Sequence, residues 1–305
     1  MDARRPLENG TIIELDGIKY SITELYSSGG SCLVYNAEYR DSMNEVHTVR
    51  IKEFYPSDVK TTREDKMLIF NDEAGKTKYQ KRFLEGVKLQ SELRSSEINV
   101  NDIAALRDIS YANGTIYSIL DFYNGKTMSA RNYNNIRQIL AVLMQTATAL
   151  KKYHGVGYIY LDLKPDNIFT VRNTDGSEKV LLFDFDSMVK KDGLAAGNVQ
   201  LSYSPKYAAP ELKKGRYDSV SDKTDHFSLG CILFSYVMRR VPNALDQRSD
   251  SKWSFSTDCG LLNKISDDFL NELTAFFHKT LSSLPSDRFD SDDEIIDALQ
   301  KLYSL

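Results

Sequence analysis

The sequence reads Tyr160-Leu161-Asp162-Leu163-Lys164-Pro165-Asp166-Asn167-Ile168-Phe169 just past the middle of the chain. Two further segments follow it in order, Leu181-Leu182-Phe183-Asp184-Phe185-Asp186 and Ala209-Pro210-Glu211. The first two segments carry acidic and amide side chains beside apolar residues, and such oxygen atoms suit a hard cation such as Mg²⁺. Each segment alone is weak evidence, because a single loop aspartate is more often a solvated residue or a helix cap. In this order, the three together indicate one chemical site.

The ordered set resembles the catalytic core of a protein kinase, and most of all that of the bacterial (eukaryotic-like) serine/threonine protein kinases. The resemblance covers residues 18–299. It implies that Asp162 accepts or orients the proton of the substrate hydroxyl and that Lys164 neutralises the transferred phosphoryl group. It also implies that Asn167 and Asp184 hold Mg²⁺, with Mn²⁺ as an alternative, and that the nucleotide is ATP.

The front of the chain contains a candidate for the lysine that contacts the nucleotide. Val49-Arg50-Ile51-Lys52 resembles the Val-Ala-Ile-Lys strand of kinases, and Lys52 is the matching residue. The continuation through Pro56 resembles a group of bacterial kinases that carry a long insertion after this strand. Glu85 on the next helix is the expected partner of Lys52, because Leu89 one turn later would share its inward side. Glu92 is the alternative partner.

The resemblance also implies a nucleotide pocket. Its glycine-rich loop is degenerate, because Gly29 alone meets the glycine positions of the family pattern, while Gly30 adds local freedom. The base is expected to pack between two apolar side chains beside a gatekeeper residue and to bond to the backbone of the hinge. Val34 and Phe169 are the two apolar side chains, and Leu120 is the gatekeeper. The backbone of Asp121 and Tyr123 supplies the hinge.

Charged residues elsewhere are expected to support the site. Glu211 and Arg288 match a buried ion pair of the family, in which the loss of one partner is costly. Asp225 matches an aspartate that braces the catalytic loop. The segment 202–204, which is Ser202-Tyr203-Ser204, supplies candidate autophosphorylation sites or serves only as a substrate-docking loop.

Four departures from the family pattern stand out. Tyr160-Leu161 replaces the usual His-Arg, which removes the receptor for a phosphate on the activation segment and predicts activity that does not depend on that phosphate. Asp186 replaces a glycine after Asp184-Phe185 and either assists a metal ion or hinders the loop. Arg50 replaces a small residue that packs on adenine, so its stem either bends away or narrows the pocket. The fourth departure is the shortage of loop glycines.

The secondary-structure pattern predicts an α+β, bilobal, protein-kinase-like fold. Residues 1–122 form an expected β-rich N-terminal lobe with one main helix, near Lys81–Arg94, and residues 123–305 form an expected α-helical lobe. Residues 56–78 are mostly polar and predict an extended surface insertion. Residues 121–124 are the expected hinge.

Composition narrows the remaining choices. The chain has 305 residues, 41% of them hydrophobic and 27% charged, with a net charge of −4, so nothing favours nucleic acid or lipid as a partner. The cysteines are Cys32, Cys231 and Cys259, which form neither a disulfide framework nor a zinc pattern and predict a reducing cytoplasm. We find no signal peptide and no membrane segment in the sequence, which is either a whole protein or a domain of a longer one.

These residues favour an active enzyme that moves the γ-phosphoryl group of ATP to serine or threonine hydroxyls of a protein substrate. Lys164-Pro165 after Asp162 carries the serine/threonine preference, since tyrosine kinases usually continue differently. The alternative is a pseudokinase, a nucleotide-binding or scaffold module, motivated by Arg50, Asp186 and the thin glycine loop. A third, more distant hypothesis is nucleotidyl transfer on the same fold.

Overall fold

The computed structural model describes residues 2–95, 103–172, 177–195, 201–255, 261–262 and 265–305. Within them the chain divides into two compact units, one formed by residues 2–95 and 103–124 and the other by Gly125–Leu305. The boundary follows Asn124, at the end of the expected hinge. Cys32 and Cys231 are buried free thiols, whereas Cys259 lies outside the described residues.

The first unit is built on a six-stranded antiparallel sheet with one long helix. The strands are β1 (Ile12–Leu15), β2 (Ile18–Ser28), β3 (Cys32–Arg40), β4 (Val46–Phe54), β5 (Thr61–Glu64), β6 (Met67–Phe70), β7 (Leu106–Ala112) and β8 (Thr115–Asp121), and the helix is α1 (Glu73–Ser95). The order in the main sheet is β1-β2-β3-β4-β8-β7, and β5 pairs only with β6. The predicted strands of this half are confirmed, with ends that shift by a few residues.

Strand alternation assigns β4 two different faces. Val49 and Ile51 are completely buried in the apolar core that also contains Ile13 and Tyr35. Because successive side chains of a strand point to opposite faces, Arg50 and Lys52 share the other face. Residues directly opposite each other on antiparallel strands also share a face. Val34 on β3 is opposite Lys52, and Leu120 on β8 is opposite Arg50, so both lie on this face.

The insertion at 56–78 is mostly exposed, as its polar composition predicts, and it also has secondary structure of its own. It contains the β5–β6 hairpin and the first residues of α1, and Leu68 is buried. Arg63 on β5 donates to the buried Glu53 carboxylate at 2.6 Å, and the hydroxyls of Tyr35 and Tyr117 donate to the same carboxylate at 2.9 and 3.0 Å. A charged residue of the insertion thus satisfies a buried charge of β4, which anchors the insertion to the sheet.

The second unit is mainly helical. Its strands are β9 (Gly125–Thr127), β10 (Tyr158–Ile159), β11 (Ile168–Arg172), β12 (Glu178–Leu182) and β13 (Val189–Lys190), and its helices are α2 (Ile136–Gly155), α3 (Lys191–Ala195), α4 (Pro210–Lys213), α5 (Asp222–Met238), α6 (Asp267–Thr280) and α7 (Asp292–Ser304). Helix α5 is buried along nearly its whole length, as expected of a helix that is apolar all round. In the described part of the chain, no helix is both long enough and apolar enough to cross a bilayer.

Candidate active site

Asp162 is held by three polar neighbours of the second unit. The Lys164 ammonium donates to its Oδ2 at 2.7 Å, and the Asn167 side-chain amide donates to its main-chain oxygen at 2.9 Å. The backbone N–H of Ser204 donates to its Oδ1 at 2.6 Å. With 6% of its surface exposed, Asp162 is a nearly buried carboxylate whose orientation is fixed from both sides.

Burial alone would lower the pKa of Lys164, but the carboxylate of Asp162 outweighs it and raises the pKa overall. The lysine therefore stays charged at neutral pH. Its ammonium also donates to the hydroxyl of Ser204 at 2.9 Å. Ser204, one of the candidate phosphorylation sites, thus contacts both Asp162 and Lys164. These contacts have no local signal in the sequence, because Ser204 lies 40 residues from Lys164.

Strand pairing brings the two candidate metal ligands together. Strands β11 and β12 are antiparallel, with Ile168 opposite Leu182, and the N–H of Phe183 donates to the main-chain oxygen of Asn167 at 3.1 Å. Asp184 follows at once with a φ of +66°, a left-handed conformation that aspartate tolerates better than most residues. Because the Asn167 amide nitrogen donates to Asp162, its Oδ1 is the atom left to act as a metal ligand. Carboxylate and amide oxygens at this point fit a hard divalent cation.

Asp225 braces the backbone that precedes Asp162. Its two carboxylate oxygens accept the N–H groups of Tyr160 at 2.7 Å and Leu161 at 2.8 Å. Leu161 has a φ of +66°, which an apolar residue adopts only when its surroundings impose it. The bracing role expected of Asp225 agrees with this geometry.

His154 extends this brace to helix α7. Its two ring nitrogens lie 2.9 Å from Asp225 and 2.8 Å from Asp292, and His226 lies 2.9 Å from the same Asp292 oxygen. Burial alone would lower the pKa of His154, but its two carboxylate partners raise it to about 9. Sequence reasoning missed this chain of contacts, because Asp292 lies 138 residues beyond His154.

The replacement of His-Arg by Tyr160-Leu161 has two structural consequences. The Tyr160 hydroxyl donates to the main-chain oxygen of Phe183, so the tyrosine links the catalytic loop to the strand that leads to Asp184. Leu161 lies in an apolar cluster of buried and half-buried residues: Ile159, Val189, Leu194, Leu201, Tyr203, Ala208, Leu212 and Val220. The segment after Asp184 therefore packs on leucine where kinases of the usual pattern present an arginine.

Glu211 and Arg288 form the expected buried pair. Two parallel bonds of 2.8 Å join the guanidinium to the carboxylate, and both side chains are almost fully buried. The Thr224 hydroxyl also donates to Glu211 at 2.9 Å. Arg288 in turn donates to the main-chain oxygens of Ser282 at 3.0 Å and Lys223 at 2.9 Å. Such a fork-to-fork pair sets geometry, because two parallel bonds fix the orientation of the guanidinium relative to the carboxylate.

In the first unit, Arg50 does not bend away into solvent. Its guanidinium carbon lies 3.8 Å from the ring centre of Tyr26 and 5.6 Å from that of Phe122. Its Nε donates to Asn36 Oδ1 at 3.3 Å, and Asn36 donates to Glu24 at 2.5 Å. Arg50 therefore packs between aromatic rings and Asn36 on the face of β4 that also carries Lys52.

The structure places Glu85, the predicted partner of Lys52, on the exposed side of α1. Glu85 is exposed and lies 3.9 Å from Lys81, whereas the Lys52 ammonium lies 5.5 Å from the ring centre of Phe83. The reason is the rotation of the helix. Phe83 and Val87 pack on the sheet, and Glu85 follows Phe83 by two residues, or about 200° around the axis. The alternative, Glu92, lies 3.7 Å from Lys88.

The glycine-rich loop is held down by the chain's first residues. The N–H of Gly29 donates to the main-chain oxygen of Cys32 at 2.9 Å, which closes the β2–β3 turn. The Arg4 guanidinium donates to the main-chain oxygen of Gly29 at 2.6 Å and to the hydroxyl of Ser28 at 2.8 Å. Gly30 accepts from the N–H of Ser57 at 2.8 Å. The clamp by Arg4 has no local sequence signal.

The remaining pocket candidates are divided between the two units. The N–H of Asp121 donates to the main-chain oxygen of Ala105 at 2.8 Å, so this donor is engaged within the first unit. The Tyr123 hydroxyl accepts from the N–H of Ala105 at 3.1 Å. In the second unit, Phe169 is buried on β11, and a side chain at Gly125 would lie 2.2 Å from the Thr170 oxygen. Gly125 thus allows β9 to approach β11 closely.

Comparison with known proteins agrees with these local findings. The family model described as "Protein kinase domain" matches residues 65–303. The serine/threonine-protein kinase Pkn1 of Myxococcus xanthus is 30% identical over 155 residues, which are 48% of this chain and 21% of that protein. A probable serine/threonine-protein kinase of Clostridium perfringens, CPE1738, is 23% identical over 94% of this chain and 38% of its own length. The chain thus spans about a fifth to two fifths of these relatives.

Solved structures show the same architecture. The structure titled "PpkA-294 apo form" has a TM-score of 0.67 at 22% identity and covers 98% of this chain and 99% of its own. The PknI kinase domain of Mycobacterium tuberculosis has a TM-score of 0.58 at 18% identity and covers 97% of this chain and all of its own, 100%. At these identities the likeness establishes the fold, a β-sheet lobe and a helical lobe.

Proposed function

Because this chain belongs to the protein kinase family, we propose that it is an active enzyme that transfers the γ-phosphoryl group of ATP to serine and threonine hydroxyls of proteins. One observation carries the proposal: Asp162, Lys164 and Asn167 form a connected set whose members are 2.7 to 2.9 Å apart.

Asp162 has the surroundings of a group that receives a proton. Lys164 and the Ser204 N–H fix its two oxygens, so a substrate hydroxyl would meet a carboxylate that is already oriented. Lys164 stays protonated beside it and would offset negative charge on the group in transfer. Asn167 and Asp184 would hold the divalent cation, Mg²⁺ before Mn²⁺, which neutralises phosphate charge when bound.

In the first unit, Lys52 supplies a positive charge for the nucleotide. It shares a face of β4 with Val34 and Leu120, and we assign to it the contact with the ATP phosphates. Gly29 and Gly30 would bring backbone N–H groups to the same phosphates. Glu85 has no part in this proposal, because it faces away.

The hydroxyl of Ser204 supports serine and threonine as acceptors rather than tyrosine. It contacts Lys164 beside the carboxylate that would receive the proton, where it limits the room for a bulky phenol. The apolar cluster around Leu161 supports activity without a phosphate on the segment after Asp184, since packing holds that segment already. We place the reaction in the cytoplasm, where ATP is available and where free thiols such as buried Cys32 and Cys231 persist.

The test is intact-mass and phosphosite mass spectrometry after incubation of the purified protein with ATP and Mg²⁺ or Mn²⁺. We expect increments of one phosphoryl group on serine or threonine, absent in Asp162→Ala and retained in Asp250→Asn, which removes an exposed carboxylate. A generic protein substrate is included for acceptors in trans. If no phosphate is transferred while ATP still raises the melting temperature, the protein is a pseudokinase and the proposal fails. A nucleotidyl increment would show different chemistry.

A further inference from the structure

The stretch that follows Ser204 carries a concentration of positive charge. Lys206, Lys213, Lys214 and Arg216 are all exposed. Among the residues that the structure describes, none of these four cations forms an ion pair with a carboxylate. We call these four residues the basic rim. The chain as a whole has a net charge of −4, so this local excess is not a by-product of a basic composition.

Backbone contacts attach the basic rim to the residues that hold Asp162. The Tyr203 hydroxyl donates to the main-chain oxygen of Leu212 at 3.1 Å, which ties the end of α4 to the residue before Ser204. Ser204 itself donates to Asp162 at 2.6 Å. The turn after α4 is fixed by the N–H of Arg216, which donates to the main-chain oxygen of Glu211 at 2.8 Å. The stretch that carries Lys213, Lys214 and Arg216 is therefore bonded to the residue that precedes Ser204.

The acidic groups nearby do not neutralise the rim. Glu211 lies within the same stretch, but it is buried and bonded to Arg288. Asp222 is paired with Lys191 at 2.6 Å. Asp218 is exposed and offsets one of the four charges. The carboxylate of Asp166 accepts a hydrogen bond from the Ser129 hydroxyl at 2.6 Å. This negative charge would favour basic residues beside the acceptor of a substrate, and it therefore competes with the positive charge of the rim.

We propose that the basic rim selects protein substrates whose acceptor serine or threonine is flanked by aspartate or glutamate. This inference rests on the proposed function and names the substrate class of the same site. Exposed cations without partners attract carboxylates at little desolvation cost, and several together give a field that a single surface pair does not. With four cations against the two carboxylates of Asp218 and Asp166, a net positive charge remains and favours the acidic peptide.

The experiment compares three peptides that share one central serine and differ only in flanks of glutamate, glutamine or lysine. We expect kcat/KM for the glutamate peptide to exceed that for the glutamine peptide by about tenfold at low salt, and this ratio to shrink as salt is added. In Lys213→Glu/Lys214→Glu the ratio should fall to about one or invert, while activity on the glutamine peptide is unchanged. Lys279→Glu/Lys301→Glu makes the same charge change on other helices and should keep the ratio.

Equal kcat/KM for the glutamate and glutamine peptides, or a preference for lysine flanks, would overturn the inference. An equal loss of preference in the control variant would assign the effect to net charge instead of the rim. Fluorescence anisotropy of the same peptides measures binding without transfer. Acidic preference in binding without any phosphorylation would therefore refute the proposed function alone and leave the rim assignment standing.

Discussion

Replacement of Arg288 by methionine should destabilise the second unit more than replacement of both Arg288 and Glu211. The two side chains are 0% and 2% exposed and share two bonds of 2.8 Å. Arg288→Met leaves the Glu211 carboxylate buried with the Thr224 hydroxyl as its remaining side-chain donor. An uncompensated buried charge costs about 3–5 kcal/mol. The main-chain oxygens of Ser282 and Lys223 lose a donor as well, at about 1 kcal/mol each.

The single variant should therefore lose at least about 5 kcal/mol of unfolding free energy. Glu211→Met/Arg288→Met removes the buried charge and leaves only the neutral groups without partners, for a loss of about 2 kcal/mol. The second mutation thus rescues the first by about 3 kcal/mol. At about 2–4 °C per kcal/mol, the single variant melts about 10–20 °C below the wild type and the double variant about 4–8 °C below it.

Urea unfolding followed by circular dichroism measures these differences. The control is Lys301→Met, which breaks an exposed pair with Glu272 at 2.6 Å and should cost less than about 1 kcal/mol. A double variant that is no more stable than Arg288→Met would refute the reasoning. It would mean that packing of the arginine stem, and not the stranded charge, sets the cost.

Three further predictions concern other parts of the site. The pKa of His154 is about 9 in the folded protein and about 6.5 in the unfolded chain. The protonated side chain therefore stabilises the fold by about 3 kcal/mol below pH 6.5, and this contribution is lost as the pH rises through 9. Urea unfolding at a series of pH values should show this fall in stability for the wild type, and an identical fall in His154→Gln would contradict the assignment. Ser204→Ala loses the hydrogen bond to Lys164 and should lower kcat about tenfold. Ser204→Thr should restore kcat, and Ser202→Ala should leave it unchanged. A normal kcat in Ser204→Ala would show that Ser204 does not position Lys164. Lys52→Met should lower kcat/KM for ATP by at least about 100-fold, whereas Glu85→Gln should leave it within about twofold. A large loss in Glu85→Gln would instead support an ion pair between Lys52 and Glu85.

The order of the elements and the catalytic loop could be predicted because their signals are local. Asp162, Lys164 and Asn167 lie within six residues, so one loop conformation brings them together whatever surrounds it. The β-strands of the first unit follow from β-branched and aromatic runs, and α7 follows from an N-cap serine before three acidic residues. Such patterns depend on backbone geometry over a few residues.

Where local patterns were not enough, long-range packing set the structure. The polar insertion forms a hairpin because Arg63 satisfies a charge on β4, and its sequence composition shows only that it is polar. The Glu85 prediction depended on the phase of α1, which the packing of Phe83 and Val87 against the sheet sets. Each residue of an α-helix turns about 100° around the axis, so placing the buried side one residue away rotates every predicted side chain by that angle.

The sequence by itself determined the family and the candidate residues of the catalytic loop, because both depend on residue types at fixed short spacings. Only the tertiary structure decided which partners they have. Ser204 meets Asp162, Arg4 meets Gly29, and Asp292 meets His154 across gaps of 42, 25 and 138 residues. The physical reason is that a hydrogen bond acts over about 3 Å, and the fold alone brings such distant residues within that range.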